Sequence, residues 1–153
     1  MSFEKELRSI AGLSIDSMSI LFDMSTKEIT TIEQGKAERK KQQDYRNKLC
    51  TLFSITDTWD ILPSKKEQNE LICSWIESEW FQTYRMRKEE GKKLLRLRQQ
   101  WQLPLVQIVR ASSLSQKQFI KMEEGLIPIS NALLYGIASL KKITVEEVEI
   151  QIK

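Results

Sequence analysis

From Ser14 the apolar residues Ile15, Met18, Leu21 and Phe22 recur at about 3.6-residue spacing, which predicts a short helix. Asp23 and Met24 interrupt it, and Ser25 opens a second helix. Ser25 and Glu28 have the spacing of a capping box, in which each side chain satisfies the other's exposed backbone N–H. Gly35 closes this helix, because glycine enters the left-handed conformation that ends many helices. Pro104, Ser115 with Gln118, and Gly125 punctuate a later stretch in the same way, although proline offers no side-chain cap. Between the two stretches, residues 56–62 predict a short helix ending at Pro63, and Ser64 with Glu67 offers another box. Leu71, Ile72, Trp75, Ile76, Trp80, Phe81 and Tyr84 then predict one long helix over about residues 65–89, hesitating at Gly91, with a broad apolar face.

The recurrence is detailed enough to read as an internal repeat. With a constant offset of 90 residues, Leu7, Arg8, Leu13, Ser25, Lys27, Glu33 and Gly35 face Leu97, Arg98, Leu103, Ser115, Lys117, Glu123 and Gly125 as identities. Apolar positions face apolar positions between them: Ile15 and Leu105, Met18 and Ile108, Ile29 and Phe119, Ile32 and Met122. After a two-residue insertion, residues 46–56 match 134–144 at an offset of 88. The expected organisation is a first unit over 1–62, a connecting helix over 63–90 and a second unit over 91–153.

Composition agrees with an all-α chain. The 153 residues include only 5 Gly and 3 Pro, too few turn formers for a sheet protein, while strong helix formers abound. The net charge of +3 says little, but its distribution says more. Lys36, Arg39, Lys40, Lys41, Arg46 and Lys48 form one basic zone, and Arg85, Arg87, Lys88, Lys92, Lys93, Arg96 and Arg98 another. Two separated zones suit either a polyanion touched at two places or an ordinary solvated helix surface.

Cys50 and Cys73 stand far apart, both in apolar-periodic runs that predict burial, and there is no His, so no zinc site or other metal site is expected. Catalysis is not expected either: the chain has no Gly-rich phosphate loop, nucleophile elbow or HExxH-type site. No cofactor is implied. No apolar run approaches membrane-spanning length, and MSFEKELRSI does not read as a signal peptide, so a cytoplasmic protein without membrane association is expected.

Two short helices joined by a three- to four-residue turn, the second capped at Ser and closed at Gly, have the layout of a helix-turn-helix. Both stretches resemble the Cro/CI-type (XRE-type) repressor domain. The first carries LR at 7–8, GLS at 12–14, MST at 24–26 and ITTIEQGK at 29–36; the second carries LR at 97–98, LSQKQF at 114–119 and MEEG at 122–125. Together the resemblances cover about two thirds of the chain. The family usually has Ala within the first motif helix and Gly in the turn; here Ser19 and Asp23, then Val109 and Ser113, take those places. The bulk of Val109 implies an altered packing angle in the second unit.

The resemblance implies two lambda-repressor-like bundles, related as a pseudo-twofold duplication, that bind double-stranded DNA as a repressor-like regulator. It assigns base contacts to Thr26, Lys27 and Thr31 in the first unit and to Gln116, Lys117 and Lys121 in the second. Lys can donate to guanine, Gln can pair with adenine and Thr can meet a thymine methyl. It assigns phosphate contacts to Ser14, Ser25, Lys36, Arg39, Lys40, Lys41 and Ser115, which position without specifying sequence. Two unlike recognition helices on one chain imply two unlike half-sites read by a monomer. The competing reading is a protein-interaction module, antitoxin-like or anti-repressor, built on the same scaffold. The Trp75, Trp80 and Phe81 face is then either a filled core or the surface for a second chain or regulator.

Overall fold

A computed structural model of the chain describes residues 2–57, 59 and 61–152, and all regular structure among them is helical. The helices are α1 (Phe3–Ala11), α2 (Ile15–Phe22), α3 (Thr26–Glu33), α4 (Arg39–Leu52), α5 (Lys65–Glu77), α6 (Glu79–Gln100), α7 (Leu105–Ser112), α8 (Gln116–Glu123), α9 (Asn131–Lys141) and α10 (Val145–Ile152). None of them is long and apolar enough to cross a membrane, among the described residues. The chain divides into two compact units, Met1–Gln82 and Thr83–Lys153, with the division inside α6.

In the first unit α1 to α4 each contribute fully buried side chains, Leu7, Met18, Ile29 and Leu49 among them, and Phe53 just after α4 is fully buried too. Each such side chain stabilises by roughly 1.5–3 kcal/mol. Ser2, Ser14, Ser25 and Ser64 cap α1, α2, α3 and α5, each hydroxyl accepting a backbone N–H three residues on. At α3 the box is half formed: the Glu28 carboxylate accepts the Ser25 hydroxyl, while the full reciprocal box is at Ser115 and Gln118 on α8. In the second unit the core runs from Leu94 and Leu97 through Ile108, Phe119 and Met122 to Leu133, Ile137, Val148 and Ile152.

The helix expected over 65–89 is two helices. Ser78 takes an extended conformation (φ −67°, ψ 156°), its hydroxyl donating to the Trp75 carbonyl at 2.6 Å and accepting the Phe81 N–H at 3.2 Å. One serine thus ends α5 and caps α6, the local competition with helix bonding that serine is suited to. Gly91 does not interrupt α6. A Cβ there would lie 2.0 Å from the Glu123 carbonyl oxygen, so glycine lets α6 touch the end of α8.

The expected helix at 56–62 does not form: Thr56, Asp57, Trp59, Ile61 and Leu62 are non-helical, and 58 and 60 lie outside the described residues. The matching stretch of the second unit does form α10, where Thr144 and Glu147 make a complete capping box. Trp59 stands where Glu147 stands and packs edge-on against Phe3 at 5.5 Å instead.

Cys50 is buried as expected, but Cys73 is exposed, on the side of α5 opposite Ile72 and Trp75. Burial pushes the Cys50 thiol up to about 11. Only thiolate reacts readily, so maleimide at pH 8 should label Cys73 alone in the native protein. Cys50 should react only after denaturation, and native labelling that survives Cys73→Ser would contradict this placement.

Candidate nucleic-acid interface

The orientation of α3 is fixed by buried charge. Arg8 of α1 donates from Nε and Nη2 to the Glu33 carboxylate of α3 at 2.8 and 2.9 Å, and from Nη1 to the Leu13 carbonyl at 2.9 Å. The Tyr45 hydroxyl of α4 donates to the same carboxylate at 3.0 Å. The bond from Glu33 outweighs desolvation and raises the Arg8 pKa, holding the guanidinium charged; burial, then Glu33, pushes the Tyr45 hydroxyl upward. A second pair, Arg46 to Glu4 at 2.9 Å, ties α4 to α1. Neither pair was foreseen from the sequence, although Arg8 and Glu33 are among the residues that recur.

With Ile29, Ile32 and Glu33 turned inward, α3 presents its other side to solvent. Thr26 and Lys27 are exposed and Thr31 is half-buried. Thr30 and Gln34 are also exposed and share this face by helical spacing, which adds them to the candidate contacts. Ser25, Lys27, Thr31, Lys36 and Lys41 line one concavity of about 330 Å³, with Glu28 and Glu38. Ser14, Ser25, Lys36, Arg39, Lys40 and Lys41 are all exposed. Arg39, Lys40 and Lys41 form the first turn of α4, so the basic zone continues directly from α3.

The second unit repeats the frame. Arg98 donates from Nε and Nη2 to the Glu123 carboxylate, both at 3.1 Å. Asp23 and Ser113 are both left-handed, as are Gly12 and Gln102, Gly35 and Gly125, and Ser54 and Lys142. The outward side of α8 nevertheless differs. Ser115 and Gln116 are exposed, and Lys117 and Lys121 half-buried. Ile120, at the place of Thr30, is buried, and Glu124, at the place of Gln34, pairs with Lys88 of α6 at 3.1 Å. Leu126, Ile127 and Ile129 follow Gly125, where basic residues follow Gly35.

The second basic zone is largely engaged internally. Arg87 donates to the Gly125 carbonyl, Lys88 pairs with Glu124, Arg98 with Glu123, and Lys92 with Glu89 on the surface. In the first zone Arg46 is taken up by Glu4. Trp75 and Phe81 are buried, their rings 4.8 Å apart, so their share of the aromatic face lies inside the first unit; Trp80 is half-buried. In the second unit a Cβ at Gly136 would lie 2.9 Å from the Ser112 Cβ, so α7 and α9 approach closely there. At the matching places of the first unit stand Phe22 and Lys48, the ammonium 5.8 Å from the ring centroid.

No protein-family profile, curated protein or solved structure matches the chain.

Proposed function

We propose that the chain is a sequence-specific double-stranded DNA-binding regulator, repressor-like, made of two tandem helix-turn-helix units that arose by duplication. The observation that carries the reading is the outward side of α3, where Lys27, Thr31, Lys36 and Lys41 line one concavity that runs into the basic first turn of α4. A helix that offers amide, hydroxyl and ammonium groups beside a basic rim has what base edges and phosphates require. The duplication is supported by matched left-handed turns and by the same arginine–glutamate clamp, atom for atom, at an offset of 90 residues. The first unit makes the principal contact. In the second, contact is limited to Gln116, Lys117 and Lys121, because Ile120 is buried and α6 engages Glu124.

Selection from random duplex DNA followed by sequencing tests this. Wild type should enrich a bipartite motif of two unlike halves. Lys27→Ala should lose about 1–3 kcal/mol and relax one half, Lys117→Ala should act less on the other, and Lys40→Ala should weaken all sequences alike and lower the salt slope by about 1. No enrichment sinks the proposal.

The exposed Val106 and Tyr135 (63 % and 64 %) favour a second reading, a protein-interaction module. Under that reading binding to the partner lacks the steep salt dependence of counterion release.

A further inference from the structure

The first unit holds a cavity of about 560 Å³ that DNA binding leaves unused. It lies between the coil after α4 and one side of α5, where Glu67, Glu70 and Trp75 follow at helical spacing. Trp59, Trp75 and Trp80 line it; Trp75 and Trp80 stack with centroids 6.0 Å apart, and the Trp75 indole N–H is fixed by the Phe53 carbonyl at 3.1 Å. Asp57, Glu67 and Glu70 line it as well, all exposed, and no Lys or Arg is among its described lining residues. The nearby Lys65 reaches away to Glu6 at 3.1 Å.

Indole rings attract cations electrostatically, and carboxylates at the mouth add to the same field. Among the described residues no three carboxylate, Cys or His side chains gather closely enough to ligate a metal. The arrangement therefore suits a diffuse charge on an apolar body, not a bare divalent ion, and the volume is that of a small-molecule site. We propose that this cavity binds a small organic cation, an amine or quaternary ammonium with an aromatic or aliphatic body.

The cavity tryptophans are three of the chain's four, so intrinsic fluorescence reports on it directly. Benzyltrimethylammonium titrated into the full chain at constant ionic strength should change the emission saturably and raise the thermal midpoint. Benzenesulfonate, with the same ring and opposite charge, should bind at least tenfold more weakly, about what one favourable cation–aromatic contact is worth. Glu70→Gln, an exposed change that circular dichroism can show to be folded, should weaken the cation about fivefold, and Asp57→Asn with Glu70→Gln further. No saturation up to about 10 mM, equal binding of the two probes, or an unchanged affinity in the folded double variant overturns the proposal. The readout involves no DNA, so it stands or falls separately from the nucleic-acid reading.

Discussion

Replacing Glu33 by Leu should cost the first unit about 3–5 kcal/mol, the usual result of leaving one partner of a buried ion pair without the other. The Glu33 carboxylate takes two bonds from Arg8 and one from Tyr45, and its side chain is only 3 % exposed. Its removal strands a guanidinium and a phenol in a space with little water. The loss is large against the 5–15 kcal/mol by which most domains are stable. Arg8→Met combined with Glu33→Leu should recover most of it, since no charge is then left buried. Glu123→Leu is the internal control: the Arg98–Glu123 pair has the same geometry but is 21 % and 17 % exposed, so water compensates and about 1–2 kcal/mol is expected. Urea unfolding followed by circular dichroism measures all three. A loss below about 1 kcal/mol for Glu33→Leu would mean that the clamp contributes little.

Gly91→Ala gives the second large effect, and with the opposite sign from a reading of helix propensity. In an exposed helix interior, Gly to Ala stabilises by about 1 kcal/mol. Here the added Cβ would lie 2.0 Å from the Glu123 carbonyl oxygen and 2.8 Å from its carbon. Backbone cannot rotate aside as a side chain can, so α6 must shift off α8, and a net loss of about 2–3 kcal/mol is expected. Gly125→Ala should be comparable, with Lys88 backbone 2.6 Å from the new Cβ and φ at +83°. Gly35→Ala isolates the torsional part: φ is +74°, but the nearest atom is a glutamine side-chain nitrogen at 3.9 Å, so about 1 kcal/mol is lost. Thermal unfolding of the three variants tests the ranking, and a stabilised Gly91→Ala would refute the close approach.

Much of the fold is local and was legible for that reason. Ser25, Ser115, Gly35 and Gly125 act within one turn of their own position, so α3 and α8 end about where the residue types imply. What escaped depends on residues far apart in the chain. Nothing local couples Arg8 to Glu33, twenty-five positions on, or marks Gly91 as the seat for Glu123. The break at Ser78 was obscured because the apolar spacing runs through it, while Ser78 itself bonds the backbone on both sides. The stretch 56–62 lacks the capping acid of its counterpart, since Trp59 stands where Glu147 stands and its ring finds Phe3 instead, and it has Asp57 and Asp60 where Val145 and the buried Val148 stand. Cys73 stands one position after the buried Ile72, about 100° further round α5, and that single step suffices to put it outside. The side chains assigned to base contact sit on α3 and α8 as expected, but a linear count of charges could not show that Lys88 and Arg98 are already paired.

The left-handed turns carry a consequence for how such a chain changes over generations. Asp23, Ser54, Gln102, Ser113 and Lys142 share nearly one backbone torsion, with φ between 52° and 57°. At Asp23, Ser113 and Lys142 the feature that recurs is a backbone bond, from the turn N–H to a carbonyl of the preceding helix. Mutation can therefore exchange acid, hydroxyl, amide and ammonium at these corners while the path of the chain stays the same. Lineages built this way keep their shape and shed their spelling.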